Sequence, residues 1–209
     1  MLRRRELMAS RKVRLPTEYR EVAYLESSGS QRISFGFPAS KVGRWELTAK
    51  FLAITSNQLN GCFYNDTNTA IDIGIYNGKF FMRNGAVNTV TKTADTEKHV
   101  FVVDQLTKQC LIDGEIVSTS YSTLGKNDAY PQLFARNVQA GPDYYNITFL
   151  CYEKLYESIV IDVKGIKVSH RIPCYRKTDQ KPGLYDIVTN VFHINQMSGS
   201  DFTVGPDVT

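Results

Sequence analysis

Residues 70–83 read AIDIGIYNGKFFMR, and this stretch decides the fold class. Two short runs rich in apolar residues flank Asn77-Gly78, a pair that readily supplies the two positive φ angles of a type I′ turn. The twist of that turn matches the twist of antiparallel strands, so the stretch predicts a β-hairpin. Residues 109–120, QCLIDGEIVSTS, predict a second hairpin that turns at Asp113-Gly114.

Alternation of apolar and polar residues extends this interpretation to the rest of the chain. In RWELTAKFLA (44–53) one face of the predicted strand is apolar and consists of Trp45, Leu47, Ala49 and Phe51. Such alternation is typical of strands that are buried on one side. Further predicted strands cover residues 99–104, 131–138, 146–156, 158–163 and 166–172. Ten or more closely spaced strands, with almost no helical periodicity, predict an all-β protein, an antiparallel β-sandwich.

Length and composition fit one domain. The chain has 209 residues, of which 22% are charged and 42% hydrophobic, as in an ordinary soluble protein. No run approaches the ~20 apolar residues that span a bilayer, and the N-terminal arginines precede no apolar signal segment. We therefore predict a short basic arm over residues 1–14, a sandwich domain over residues 15–209, and no membrane insertion.

The positive charge is concentrated in that arm. Residues 1–14 contain one acidic residue, Glu6, and six basic ones, which are Arg3, Arg4, Arg5, Arg11, Lys12 and Arg14. The arm carries a charge of +5 and the chain as a whole +4, which leaves −1 for the remainder. A body so close to neutral argues against a nucleic-acid-binding domain. The arm is either a solvated tail or a segment that docks on nucleic acid, a membrane surface or an acidic protein.

The cysteine pattern favours free thiols. Four cysteines lie far apart, with no C-x-x-C motif and no histidine at metal-ligand spacing; they are Cys62, Cys110, Cys151 and Cys174. A zinc site is therefore not predicted. We expect the thiols to pack as small apolar side chains in a protein assembled in a reducing cytoplasm, with disulfide pairing as the alternative.

Two segments carry a resemblance to a known family. The first is LPTEYREVAYLESSGSQRISFG (15–36), and the second is IPCYRKTDQKPGLYDIVTNVFHINQMSGSDFTVGP (172–206). Together they resemble the opening and closing strands of concanavalin A-like (LamG-type) domains, which occur in tail, fibre and head-associated proteins of bacteriophages and prophages. The resemblance implies a concanavalin A-like jelly roll in a virion protein, with the first and last strands paired.

The motifs within these segments predict structural roles. Ser27 to Ser30 predict a turn whose hydroxyl groups bond the local backbone, and Lys181-Pro182-Gly183 predicts a type II turn. The chain also departs from the family pattern. Residues 32–35 are Arg-Ile-Ser-Phe where relatives usually carry Tyr-Ile-Asp-Thr, and Met197 replaces a second glycine. A site that depends on that missing aspartate is not expected here.

Catalysis is not predicted, although the resemblance raises it. Glycan hydrolases of this fold carry E-x-D-x-E on one strand, because alternation places all three acids on one face. The nearest match has Leu155 between Glu153 and Glu157, and we expect Glu157 to lie at the end of its strand. Three histidines, His99, His170 and His193, form no recognisable triad. The loop acids Asp66, Asp128 and Asp143 match no calcium-loop pattern, so no metal or other cofactor is predicted.

Sugar binding requires an aromatic ring beside hydrogen-bonding groups, and loops on a rigid sandwich are natural places for both. The longest polar loops cover residues 122–131 and 137–145. The predicted ligand-binding residues are Tyr130, Tyr144, Tyr145, Asn127 and Asp128. Tyr64 and Tyr76, with Asn65 and Asp66, are weaker candidates, and Trp45 is expected in the core.

These observations predict a non-catalytic virion protein, assembled in the host cytoplasm, that displays a sandwich domain for binding host or environmental glycans. The basic arm would anchor it to other virion proteins. The main alternative is a capsid decoration or tail accessory protein that binds only virion proteins, and a glycan hydrolase is the less favoured third. We expect a homo-oligomer or a symmetric array.

Overall fold

The computed structural model describes residues 15–55, 57–64, 69–85, 87–119, 129–138, 147–148 and 150–208. The predicted basic arm, residues 1–14, lies outside the described residues. Nineteen strands and one short 3-10 helix (Ala39–Lys41) make up the described secondary structure. No helix among these residues is long and apolar enough to cross a membrane.

The strands form two sheets. Their bounds are β1 Tyr19–Glu21, β2 Leu25–Ser28, β3 Ile33–Ser34, β4 Val42–Phe51, β5 Gln58–Tyr64, β6 Thr69–Tyr76, β7 Lys79–Gly85, β8 Val87–Thr93, β9 His99–Asp104, β10 Gln109–Ile112, β11 Glu115–Ser118, β12 Gln132–Leu133, β13 Arg136–Asn137, β14 Ile147–Thr148, β15 Tyr152–Asp162, β16 Lys167–Arg176, β17 Lys181–Asp186, β18 Val191–His193 and β19 Thr203–Val204. The larger sheet has the order β11-β10-β9-β4-β15-β16-β17-β18, joined by β1, β2 and β19. The smaller sheet has the order β14-β13-β5-β6-β7-β8, joined by β3 and β12. Among the described pairs, only β5 and β13 run parallel.

Both predicted hairpins are confirmed. Asn77 and Gly78 have φ angles of 51° and 72°, and Tyr76 pairs with Lys79 across the turn. At the second hairpin Asp113 and Gly114 have φ angles of 53° and 83°. The mirror-image turns therefore connect β6 to β7 and β10 to β11 as their residue types require.

The core lies between the two sheets, which confirms the antiparallel β-sandwich. On β4 the four predicted core residues, Trp45, Leu47, Ala49 and Phe51, are at most 1% exposed. They belong to one hydrophobic cluster with side chains of β6 and β7 from the smaller sheet, which are Ile71, Ile73, Ile75, Phe80 and Met82. Burial of these apolar side chains is the main favourable term in holding the layers together.

The two ends of the described chain meet, as the family resemblance implies. β19 pairs with β2, with Val204 opposite Leu25, and β1 pairs with β16. The Gln31 side chain donates hydrogen bonds to the carbonyl oxygens of Ser200 and Asp201, at 3.0 and 3.1 Å. The Ser27 hydroxyl accepts a hydrogen bond from the Gly29 amide at 3.1 Å, so this segment is the predicted hydroxyl-stabilised turn. The opening and closing segments thus complete one edge of the sandwich.

A buried arginine ties the two sheets together. Arg171 of β16 is 2% exposed and donates to the backbone carbonyl oxygens of Ser34 and Phe35, both at 2.8 Å. Its Nε lies 3.6 Å from Asp186, whose carboxylate also accepts a hydrogen bond from the Ser169 hydroxyl. Burial lowers the pKa of Arg171 to about 10, so the guanidinium keeps its charge at neutral pH. Asp186, the last residue of the closing GLYD motif, therefore has a structural role.

The predicted type II turn at Lys181-Pro182-Gly183 is wrong. These residues begin β17, and the turn lies one step earlier, at residues 177–180, where Gln180 has a φ angle of 57°. Gly183 pairs with Cys174 in the sheet. A β-carbon at Gly183 would lie 2.3 Å from the carbonyl oxygen of His193, so the glycine is required by close packing against β18.

The prediction of reduced thiols is confirmed, since all four cysteines are buried and none forms a disulfide. Burial raises the pKa of Cys110 to about 11 and that of Cys174 to about 12. Thiols with such pKa values are almost entirely protonated at neutral pH and are poor nucleophiles. They act as small apolar side chains.

Candidate functional site

The structure describes only part of the predicted ligand site. Tyr130 is half-buried, and its carbonyl oxygen accepts a hydrogen bond from the Gln132 side chain at 2.8 Å. The other four predicted residues, Asn127, Asp128, Tyr144 and Tyr145, lie outside the described residues, as do Asn65 and Asp66. The six basic residues of the arm also lie outside them. Trp45 is in the core, as expected, and its indole N–H donates to the Ser158 hydroxyl at 3.2 Å.

A β-bulge in β15 rearranges the E-x-x-x-E segment. Leu155 lies opposite Ala49 of β4, but Glu157 lies opposite the next residue, Thr48, so Tyr156 is inserted as an extra residue. A bulge of this kind places two consecutive side chains on one face. Tyr156 and Glu157 both lie on the outer face, and β15 continues to Asp162. The expectation that Glu157 ends its strand is wrong.

The bulge separates the two glutamates. Glu153 is fully buried between the sheets, where one carboxyl oxygen accepts a hydrogen bond from Asn60 of β5 at 2.9 Å. Its other oxygen has no hydrogen-bond partner among the described residues, and burial raises the pKa of Glu153 to about 8. Glu157, by contrast, has a side chain that is 41% exposed and accepts a hydrogen bond from His170 at 2.6 Å. The two carboxyl groups therefore do not face the same side of the strand.

The outer face of the larger sheet carries an aromatic cluster, which we call the tyrosine surface; it comprises Tyr24, Tyr152 and Tyr156 together with Glu26 and Lys154. Tyr152, Lys154 and Tyr156 follow one another along the outer face of β15, and Tyr152 is 44% exposed. The rings of Tyr24 and Tyr156 meet edge to face, with centroids 5.6 Å apart. Aromatic faces and polar groups therefore stand side by side on an open sheet.

Charged groups connect these rings. The Lys154 ammonium lies 4.2 Å from the centroid of the Tyr24 ring, donates to the Tyr24 hydroxyl at 3.0 Å, and lies 3.3 Å from the Glu26 carboxylate. Its hydrogen bond to Tyr24 raises the pKa of Lys154. Burial raises the pKa of Tyr156. Lysine is therefore charged and tyrosine neutral at physiological pH, which leaves both ready to act as hydrogen-bond donors.

Two glycines position the rings by close contact. A β-carbon at Gly29 would lie 2.5 Å from the Tyr152 ring, and one at Gly205 would lie 2.8 Å from the Tyr24 ring. Gly29 belongs to the serine-rich turn after β2, and Gly205 follows β19. Residues from the paired ends of the described chain thus pack against the rings of Tyr152 and Tyr24.

None of the aromatic residues predicted from the sequence to bind a ligand belongs to the tyrosine surface. A signal was present, because Leu155 is apolar and the alternating positions Tyr152, Lys154 and Tyr156 must point the other way. Nothing in the sequence placed Tyr24 beside Tyr156, since that contact depends on the pairing of β2 with β15.

A second cluster of charged residues lies on the smaller sheet. Asp72 of β6 alternates with the core residues Ile71 and Ile73 and is itself fully buried. Its carboxylate lies 3.4 Å from Arg136 Nε and 3.8 Å from Arg83 Nε. Burial raises the pKa of Asp72 to about 6, against the opposing effect of the two arginines. This burial makes the cluster a structural feature rather than an open binding surface.

A pocket of about 400 Å³ lies beside the β15–β16 hairpin. Its lining combines apolar and charged side chains, which are Phe37, Lys41, Asp162, Val163, Lys164 and Val168. One oxygen of Asp162 accepts hydrogen bonds from the backbone amides of Lys164 and Ile166 and so shapes the hairpin turn. The pocket contains one aromatic residue, compared with three on the tyrosine surface.

The chain matches no protein-family model, no curated protein and no solved structure. Its function must therefore be inferred from its own residues. Among the described residues, the tyrosine surface offers the exposed combination of aromatic rings and hydrogen-bonding groups that a small polar ligand requires.

Proposed function

We propose that this protein is a non-catalytic glycan-binding β-sandwich, and the observation that carries the proposal is the tyrosine surface. A sugar ring presents C–H groups on its faces and hydroxyl groups around its rim. The C–H groups pack against aromatic rings such as those of Tyr152 and Tyr156, whose faces carry partial negative charge. The Glu26 carboxylate can accept hydrogen bonds from the sugar hydroxyl groups, and the Lys154 ammonium can donate hydrogen bonds to them.

The spacing of the tyrosines favours an oligosaccharide over a single sugar. Side chains on one face of a strand repeat about every 7 Å, so Tyr152 and Tyr156 lie roughly 14 Å apart along β15. That length accommodates more than one sugar ring, with Lys154 between the two aromatic positions. A rigid sheet also loses little conformational entropy when a ligand binds, because few of its groups become more ordered, and this favours a higher affinity.

For the setting, we propose a phage or prophage virion protein. The support is the resemblance of residues 15–36 and 172–206 to concanavalin A-like domains of virion proteins, together with the charge concentrated in residues 1–14. In this proposal the arm docks on an acidic surface of neighbouring virion proteins, gains order on assembly and leaves the sandwich displayed outward. The glycan then belongs to the host or its surroundings.

A glycan array with the full-length protein tests the binding proposal. We expect retention of specific oligosaccharides, and a loss of signal of about tenfold in Tyr152→Ala. Ile116→Ala is the control, because Ile116 is 54% exposed but lies on β11, at the far edge of the larger sheet. Silence across broad neutral and acidic panels, or an equal loss in both variants, would refute glycan binding at this surface.

The concentration of charge in the arm also supports the alternative of a structural virion protein that binds only its protein neighbours. Mass spectrometry of purified particles tests the setting, and absence from the particles would refute it. A variant with Arg3, Arg4 and Arg5 changed to glutamine should be lost from particles if the arm is the anchor. If that variant stays on the particles and the protein binds no glycan, the purely structural alternative is favoured. A surface other than the arm would then make the contacts with the neighbouring virion proteins.

A further inference from the structure

A row of lysines crosses the tyrosine surface. Lys154 of β15 lies directly opposite Lys50 of β4. On the other side of β4, Ala49 lies opposite His99, the first residue of β9. Continuing this antiparallel register by one residue places Lys98 opposite Lys50. Three lysines from distant parts of the sequence thus stand side by side, about 5 Å apart at the backbone, with Lys154 and Lys50 on paired strands and Lys98 immediately before β9.

This arrangement is unfavourable in the free protein. Like charges directly opposite each other on neighbouring strands destabilise a sheet. Lys154 is compensated by Glu26, at 3.3 Å, but Lys50 and Lys98 form no ion pair with any residue that the structure describes. Lys98 instead lies above the Tyr156 ring, with its ammonium 5.1 Å from the centroid.

Three acidic groups near the lysine row are engaged elsewhere. Glu157 accepts a hydrogen bond from His170 at 2.6 Å, and Asp95 contacts His99 at 2.8 Å. Glu153 points into the core, where it is bonded to Asn60. Lys50 is half-buried and Lys98 is exposed beside the Tyr156 ring, and neither forms an ion pair with a carboxylate of the described residues.

We infer that the ligand of the tyrosine surface is an acidic glycan, one whose sugars carry carboxylate or sulfate groups; this inference rests on the proposed glycan binding. The sugar rings pack on Tyr152 and Tyr156, while an anionic substituent lies between Lys50 and Lys98. The anion relieves the repulsion along the lysine row, so part of the electrostatic cost stored in the free protein is recovered on binding.

The test compares each acidic glycan with its neutral counterpart, using the full-length protein and isothermal titration calorimetry. One pair is tetragalacturonate and its methyl ester, which differ only in carboxylate charge, and the other is a carboxyl-reduced chondroitin sulfate tetrasaccharide and its desulfated form, which differ only in sulfate. We expect at least one acidic member to bind about tenfold more tightly than its neutral partner, with an affinity that falls as salt increases. The two pairs distinguish carboxylate from sulfate as the preferred anion.

Two charge-matched double variants locate the effect. Lys50→Gln with Lys98→Gln should weaken the binding of the preferred acidic glycan about fivefold, as expected for two exposed ion pairs, and leave the neutral form unchanged. Arg4→Gln with Arg5→Gln removes the same charge from the arm and should leave both affinities unchanged. Equal weakening by the two double variants would mean unspecific attraction by net charge and would overturn the inference.

The outcomes separate this inference from the proposed function. Equal affinity for acidic and neutral forms, or preference for neutral glycans on the array, overturns the acidic specificity while glycan binding stands. An absence of binding to every glycan of either class overturns both proposals. Binding of the acidic form that persists in Tyr152→Ala but is lost in the lysine double variant would place the anion on this surface without a sugar-binding role for the tyrosine.

Discussion

The two faces of β15 carry similar chemical groups in opposite environments. On the inner face, Glu153 is buried between the sheets beside Asn60, and the neighbouring strand β16 carries another buried charge, Arg171. On the outer face, Lys154 and Glu157 remain half-exposed beside the rings of Tyr152 and Tyr156. A charge on the inner face has lost its hydration and must be compensated by the protein, whereas a charge on the outer face is available to a ligand.

This difference separates stability from function on one strand. Inner polar groups connect the two sheets, so replacing them should change the free energy of unfolding. Outer groups contribute little to folding because solvent screens them, so replacing them should change binding instead.

The largest effect is expected for Arg171→Met. The substitution leaves the carbonyl oxygens of Ser34 and Phe35 and the carboxylate of Asp186 without their buried partner. Breaking a buried ion pair of this kind should lower the free energy of unfolding by about 3–5 kcal/mol, measured by urea denaturation. Arg20→Met is the control, because the Arg20–Asp207 pair is exposed to solvent and should contribute little to stability. Equal losses in the two variants would contradict the role of Arg171 as a tie between sheets.

Glu153→Gln should stabilise the protein at alkaline pH. The pKa of Glu153 rises from 4.5 to about 8 on folding, so the native state binds its proton more tightly than the unfolded state. Stability is therefore lost as the pH rises from about 4.5 to about 8, and the loss is complete above that range. Glutamine cannot ionise, so the variant should exceed the parent by roughly 2–4 kcal/mol at pH 9 and by far less at pH 5.

The control for this prediction is Glu157→Gln, on the outer face of the same strand. Its free energy of unfolding should differ from that of the parent by less than about 1 kcal/mol at both pH values. Denaturation curves at pH 5 and pH 9 provide the comparison. A parent protein with the same stability at both pH values, or no gain in Glu153→Gln at pH 9, would show that the inner carboxyl group does not bear this penalty.

Tyr156→Ala should affect binding more than stability. Loss of one stacking position should weaken glycan binding about tenfold, close to 1.4 kcal/mol, while Tyr156→Phe should retain most of the affinity because the ring remains. Calorimetry measures the affinity, and thermal denaturation checks that the fold is kept. If Tyr156→Phe loses as much as Tyr156→Ala, hydroxyl bonding rather than ring stacking controls binding.

His99 is more exposed than Glu153 and more buried than Glu157. Its replacement should give the smallest change in the free energy of unfolding. Burial opposes protonation of its ring, but hydrogen bonds to Asp113 at 2.6 Å and Asp95 at 2.8 Å outweigh burial and raise its pKa. This stabilisation is fully present below pH 6.5 and is lost as the pH rises through the folded pKa. The expected contribution is about 1 kcal/mol, absent in His99→Gln. An NMR titration that gives His99 a pKa at or below 6.5 would contradict the prediction.

The hairpins and the core face of β4 could be predicted because local residue types decide them. Asn77-Gly78 and Asp113-Gly114 favour one turn geometry. The apolar–polar alternation around Trp45 indicates a strand that is buried on one face. The paired ends followed from the family resemblance of residues 15–36 and 172–206. Each of these features needs only a few neighbouring residues or a recognised pattern.

The bulge at Tyr156 and the turn at residues 177–180 could not be predicted in the same way. Strict alternation places Glu153 and Glu157 on one face, and only the competing register of β4 forces the extra residue into β15. Pro182-Gly183 resembles a turn, yet the packing of β18 against Gly183 keeps this pair in a strand. In both places tertiary contacts override the local preference.

The amino-acid sequence by itself determined that this chain forms hairpins and a two-layered β-structure, because turn chemistry and apolar alternation act over a few residues. Only the tertiary structure decided which side chains meet, since Lys50, Lys98 and Lys154 become neighbours through the pairing of β4 with β9 and β15. Tyr24 likewise reaches Tyr156 only across the paired strands β2 and β15. Strand register depends on the packing of the whole core, and the binding surface depends on that register.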